Sequence, residues 1–263
     1  MKKKKKITAC IVQVEIKSES PDKNLSRVLQ KIEKAAKSGA DLIVLPEMWY
    51  SGYDYKNLEL TANSTNTIIK KFKTIAKSYG TTIISSMVEK DRKYFFNTAF
   101  TVEGKKGVAG KYRKIHLFPL LNEDRYFKRG KNSDVLNTSS GKIGVSLCFD
   151  IRFPELIRSL ALKGAEIIAI PAQWPQVRLT HWRTLLQARA IENQLFVLGA
   201  ACCGKQGKII LSGHSMIIDP NGKILAEAGK KEETIVTEID LNYVEETREK
   251  IPCFPYRVPE AYS

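Results

Sequence analysis

Two stretches decide the fold of this chain: GADLIVLPEMW at residues 39–49 and GAEIIAIPAQW at residues 164–174. Gly, Ala, a central Ile, Pro and Trp recur at the same offsets, and most other positions exchange like for like. Each apolar run is unbroken, as a strand buried on both faces requires. The copies part after the proline, where the first has Glu47 and the second Ala172. One copy therefore ends in a carboxylate and the other in a methyl group.

The flanks extend the match. Before the first run, residues 7–16 read as a strand, and Leu25, Val28, Leu29, Ile32 and Ala36 have helical spacing. After it, Ile68, Ile69, Phe72, Ile75 and Ala76 predict a second helix, stopped at Gly80. Strands are expected over residues 82–88 and 97–103. Around the second run the pattern returns: a strand over 143–148, a helix from Pro154 to about 163, and a helix over 178–193 with Leu179, Trp182, Leu186 and Ala190 on its apolar side. Four short strands are expected at 195–201, 214–219, 223–226 and 234–240. Asp219-Pro-Asn-Gly222 is a turn, since proline sets one φ and Asn-Gly tolerates positive values.

No linker divides the chain. The sequence predicts one domain over residues 1–263, built from two related α/β halves. Packed sheet on sheet with helices outside, they make a four-layer αββα sandwich. Residues 241–263 are expected to be an extension that packs on the domain or on a dimer partner.

Composition narrows the class. A chain of 263 residues buries roughly three quarters of its unfolded surface and needs no disulfide staples. Five scattered cysteines, Cys10, Cys148, Cys202, Cys203 and Cys253, suit a reducing cytoplasm better than a secreted framework. The three histidines are far apart, so neither they nor the cysteines suggest a metal site. The run Lys2 to Lys6 followed by ITACIVQV is too short and too strand-like for a signal peptide. No apolar stretch is long enough to span a bilayer. The formal charge of +15 raises the possibility of nucleic-acid or membrane binding. The lysines are spread along the chain without interleaved aromatics, which favours a solvated surface that steers small anions.

Ligand sites in open α/β sheets gather at the carboxyl ends of strands. Glu47 follows one apolar run, and Cys148 closes another, KIGVSLC. A thiol between a strand and a helix start lies near unpaired backbone N–H groups, which favour an oxyanion. Lys114, in GKYRKIHLFP, supplies a cation, although composition alone does not separate it from Lys111.

Taken in order, LPEMW, KYRKIHLF and SLCFDIRFPE resemble the glutamate, lysine and cysteine motifs of the nitrilase superfamily of carbon–nitrogen hydrolases. HWRTLLQARAIENQLFVLGA and SGHSMIIDPNGKILAEAG extend the likeness from residue 7 to about 252. The resemblance implies an αββα sandwich, a homodimer and a Glu–Lys–Cys triad that uses no cofactor. It makes Cys148 the nucleophile, Glu47 the general base and acid, and Lys114 the oxyanion stabiliser, with help from the backbone N–H of Phe149. Glu123, in NEDRYF, matches the family's second glutamate.

Cys-Phe-Asp after the nucleophile, the AQWPQVRLTHW stretch and the late TREKIP are similar to the ω-amidase branch, which deamidates dicarboxylic monoamides. An anionic substrate of this kind needs a cation in the pocket. Arg178 is the candidate, with Trp174 and Tyr53 as pocket walls. Arg152 is expected to pair with Asp150 or Glu155 and brace the nucleophile turn, and His116 and His181 are expected to be structural. Competing readings are an N-carbamoyl amidohydrolase, a nitrilase or a basic nucleic-acid-binding protein.

Overall fold

The computed structural model describes residues 6–17 and 20–261, so most of the N-terminal lysine run lies outside the described residues. The first half contains β1 (Lys6–Gln13), α1 (Pro21–Lys37), β2 (Leu42–Val44), α2 (Leu58–Tyr79), β3 (Thr82–Asp91), β4 (Tyr94–Glu103) and β5 (Gly107–Arg113). A short α3 (Glu123–Tyr126) and β6 (Leu136–Thr138) lead to the second. There, β7 (Gly141–Val145), α4 (Pro154–Leu162), β8 (Ile167–Ala172), α5 (Leu179–Asn193) and β9 (Phe196–Ala201) precede four short strands. These are β10 (Cys203–Gln206), β11 (Ile209–Ser212), β12 (Met216–Ile218) and β13 (Ile224–Glu227). The last elements are β14 (Glu233–Asp240) and α6 (Asn242–Lys250).

One sheet has the order β14-β1-β2-β3-β4-β5 and the other β13-β12-β9-β8-β7-β6, with β10 and β11 as a separate hairpin. In the first sheet β1, β2 and β3 are parallel, β4 and β5 return antiparallel, and β14 closes the far edge antiparallel to β1. In the second, β7, β8 and β9 are parallel, β12 and β13 return antiparallel, and β6 pairs antiparallel with β7. The halves match strand for strand, with α1 and α4 as the first crossover and α2 and α5 as the second. The two repeated runs are β2 and β8, each flanked by parallel neighbours.

Alternation along the strands distributes the core. Ile7, Ala9, Leu42, Val44 and Ile84 meet Ile143, Val145, Ile167, Ala169 and Leu198 between the sheets. Their neighbours Cys10, Ile43, Leu45 and Ile83 point the other way, onto Val28 and Ile32 of α1 and Ile68 and Phe72 of α2. Ile168, Ile170 and Val197 do the same against Ile157 and Leu160 of α4 and Trp182 and Leu186 of α5. The result is the αββα sandwich. The α6 segment is tied to the second half, because Gln194 Nε2 donates to the carbonyls of Thr247 and Ile251 at 3.1 and 2.8 Å. Phe254 lies under the guanidinium groups of Arg158 and Arg248.

Two differences from the sequence reading have clear causes. Helix α2 starts ten residues earlier than the apolar spacing indicates, because Thr61 and Thr65 occupy its buried face and break the apolar count. The strand before Cys148 stops at Val145, because the Asp150 carboxylate captures the Leu147 N–H at 2.9 Å. Among the described residues no helix is long and apolar enough to cross a membrane.

Candidate active site

The carboxyl ends of β2, β7 and β8 bring together chain segments far apart in sequence. Glu47 follows β2, Cys148 follows β7, Gln173 follows β8, and Lys114 is the residue after β5. The side chains of Glu47, Lys114 and Glu123 are fully buried. Lys114 Nζ donates to Glu47 Oε1 at 2.8 Å and to Glu123 Oε2 at 2.7 Å. An ammonium has three donors, so one remains for another acceptor. Asn97 Nδ2 bridges the same carboxylates, 2.8 Å from Glu47 Oε1 and 2.8 Å from Glu123 Oε1. Its Oδ1 accepts from Ser86 Oγ at 2.7 Å, which fixes the amide. Glu123 also accepts the Phe118 N–H at 2.8 Å, tying the loop after Lys114 back onto the cluster.

The second copy of the repeat holds the first. Gln173 N–H donates to Glu47 Oε2 at 3.1 Å, and Gln173 Nε2 donates to the Glu47 carbonyl at 3.0 Å. The Gln173 carbonyl accepts from Cys148 Sγ at 3.4 Å. The carboxylate of one strand end is thus clasped by its counterpart, whose Ala172 leaves only one acid between the two copies.

Cys148 opens a 3-10 turn, Cys148–Arg152, with φ of +44°. A β-carbon is disfavoured there, and such strain concentrates at functional positions. Asp150 holds the turn. One oxygen accepts from Leu147 N–H and the Tyr112 hydroxyl, the other from His116 N–H at 3.0 Å, with His116 Nδ1 2.8 Å away. The backbone N–H of Phe149 lies in the first turn of this short helix, where such groups have no intrahelical partner.

Burial pushes the Cys148 thiol well above its ordinary value, and the Glu47 charge adds to this while Lys114 works against it. Burial and the Glu47 charge both favour the thiol form over the thiolate. Burial alone would lower Lys114, but Glu123 and Glu47 outweigh it and hold the ammonium well above its usual range. Burial also raises the Glu123 carboxyl; the Lys114 charge offsets part of this and the Glu47 charge adds to it.

The pocket beside the thiol is lined by Tyr53, Phe118, Leu121, Cys148, Phe149, Arg152, Gln173, Trp174, Pro175 and Arg178. It therefore gathers Cys148, Phe149, Trp174, Tyr53 and Arg178, with the Glu47, Lys114 and Glu123 cluster bonded through Gln173 behind it. Its enclosed free volume is about 20 Å³, room for one water.

Arg152 corrects the sequence reading. Asp150 is already engaged by Tyr112 and His116, and no ion pair joins Arg152 to Asp150 or Glu155 among the described residues. The Arg152 guanidinium instead sits 4.8 Å from the Trp174 ring centre and 3.4 Å from His181 Nδ1. Burial and the nearby Arg178 charge lower its pKa. Two arginines without a carboxylate partner among the described residues thus share one pocket. The segment Ala172-Gln173-Trp174, expected to line the pocket, does so through Gln173 and Trp174, but the bonds of Gln173 to Glu47 and Cys148 and the part played by Asn97 were not foreseen. The available signal was a polar residue inside or just past an apolar strand, Asn97 within β4 and Gln173 after β8, and it is ambiguous.

A larger surface groove of about 1160 Å³ runs past Lys111, Arg113, Lys128, Arg129 and Lys131. None of the Glu47, Lys114, Glu123 and Cys148 cluster lines it. Among the described residues no group of three His, Cys, Asp or Glu side chains could hold a metal ion.

Fold and site together define an αββα hydrolase with a cysteine at its pocket. The carbon–nitrogen hydrolase family matches residues 8–249, and the chain belongs to that family. It is 39% identical over 251 residues to the 2-oxoglutaramate amidase of Bacillus subtilis, covering 95% of this chain and 96% of that one. An omega-amidase of Saccharomyces cerevisiae is 34% identical over 278 residues, with 96% and 94% covered. The crystal structure of a carbon–nitrogen hydrolase from Helicobacter pylori superposes with a TM-score of 0.91 at 28% identity, covering 98% of this chain and 97% of that one.

Proposed function

We propose that the protein is an ω-amidase that hydrolyses dicarboxylic monoamides, such as 2-oxoglutaramate or succinamate, to the acid and ammonia. The observation that carries this reading is the pair Arg152 and Arg178 in the same pocket as Cys148. A guanidinium matches a carboxylate in shape and charge, and a buried substrate carboxylate needs such a partner. The B. subtilis relative named 2-oxoglutaramate amidase supports the same choice.

In this mechanism Glu47 takes the Cys148 proton as Sγ attacks the amide carbon. The oxyanion is held by the third Lys114 donor and the Phe149 N–H. Glu47 then protonates the departing nitrogen, which leaves as ammonia, a poor leaving group otherwise. Water, deprotonated by Glu47, attacks the thioester, and the sulfur departs and recovers its proton. Glu123 acts through Lys114, which it orients together with Asn97.

Residues 1–263 are taken as one hydrolase domain, with 241–263 as its extension. Exposed Ile251, Tyr256 and Val258 on that extension support its burial by a second copy, hence a homodimer. Five free cysteines, four of them buried, support a reducing cytoplasm.

The test is ammonia release from 2-oxoglutaramate, succinamate, an N-carbamoyl amino acid and an aliphatic nitrile, with Cys148→Ala as control. Turnover of the first two, absent in the folded variant, is expected. Turnover confined to the carbamoyl compound or the nitrile would overturn the branch assignment, and ammonia release by the variant would remove Cys148 from the chemistry.

A further inference from the structure

Resting on the amidase reading, we propose that the Gln173 side chain is the acceptor that recognises the substrate's amide N–H, making the site selective for carboxamides over esters. Gln173 is 4% exposed and lines the pocket with Cys148. Its Nε2 is committed to the Glu47 carbonyl at 3.0 Å, which fixes the plane of the amide. Its Oε1 is buried and has no hydrogen-bond partner among the described residues. Of the described residues lining this pocket, Gln173 alone carries such an unpartnered side-chain atom.

A buried acceptor left unpaired is costly, and a ligand that supplies the missing donor recovers that cost. A primary carboxamide brings two N–H donors to a pocket with few acceptors, whereas an ester or a nitrile brings none. A site built to hydrogen-bond an N–H rejects the analogue that lacks it.

The main chain of the same residue reinforces the argument. The Gln173 carbonyl accepts from Cys148 Sγ at 3.4 Å, so Gln173 borders the reacting sulfur. Its N–H holds Glu47 Oε2 at 3.1 Å, so it also grips the carboxylate that moves the proton. Once the thiol proton has passed to Glu47, the Gln173 carbonyl loses its donor and becomes a second acceptor for the substrate nitrogen. One residue of the second repeat would then read the leaving group while bracing the acid that protonates it.

The experiment compares succinamate with monomethyl succinate. Both form the same thioester, so deacylation is common and the ratio of their kcat/KM values reports acylation alone. Gln173→Met keeps the length of the side chain and removes the acceptor. Loss of the Nε2 bond to the Glu47 carbonyl slows both substrates alike, so the amide-to-ester ratio carries the test, and it is expected to fall about tenfold, one hydrogen bond's worth. An unchanged ratio overturns the proposal. If both rates fell with the ratio unchanged, Gln173 would be only a brace for Glu47. Gln173→Ala, which cannot crowd the core, decides the same ratio if the methionine variant does not fold by circular dichroism. Absence of ammonia from wild-type protein with succinamate would instead overturn the amidase reading, and this proposal with it.

Discussion

Tyr112, two residues before Lys114, donates its hydroxyl at 2.7 Å to Asp150, two residues after Cys148. This single bond joins the strand that carries the ammonium to the turn that carries the sulfur. Both groups are buried. Tyr112→Phe is expected to destabilise the fold by about 1–2 kcal/mol, the usual cost of stranding a buried polar group. It is also expected to lower kcat about tenfold, since small displacements of reacting groups are expensive. Thermal melting and ammonia release check the two effects. A stable variant with wild-type kcat would show that the bond does not position the sulfur.

The resting thiol sets a pH signature. Burial first, then the Glu47 charge, raise the Cys148 pKa, so thiolate forms only above the ordinary thiol range. Alkylation of Cys148 by iodoacetamide, followed on its own peptide by mass spectrometry, is expected to keep accelerating past about pH 9. Glu47→Gln removes the neighbouring negative charge and is expected to move that rise to lower pH while abolishing turnover. A plateau near neutrality in wild-type protein would instead indicate a preformed thiolate and ammonium pair.

The two arginines divide charge recognition from packing. Arg152→Ala and Arg178→Ala are each expected to raise KM for succinamate about tenfold or more, as the loss of a charge-assisted hydrogen bond does. Neutral butyramide is expected to change little. Equal losses on both substrates would mean that Arg152 serves mainly to cover the Trp174 ring.

Much of this molecule was legible before its structure. The repeat at 39–49 and 164–174 foretold two equivalent central strands, and β2 and β8 are those strands. Glu47, Lys114, Cys148 and Glu123, picked out by the resemblance of their short motifs to a known family, lie together in the structure. Asn97 was not picked out, since a buried amide in a strand looks like any polar residue until its partner arrives from another segment, and Gln173 was placed at the pocket without its bonds to Glu47 and Cys148. Arg152 was misread for a related reason. Nearness in sequence to Asp150 suggested a pair, but the fold supplies Asp150 with Tyr112 and His116 from the far side of the sandwich. The hairpin β10–β11 lacked any apolar alternation, and its register rests on backbone pairing.

The left-handed backbone at Cys148 has a consequence for how such a protein can be improved. Glycine adopts that φ without penalty and a residue with a β-carbon does not. On the proposed mechanism, the residue that does the chemistry therefore sits where the backbone alone would favour glycine. Stabilising changes are better sought at the helix ends and on exposed strands, well away from the turn at Cys148.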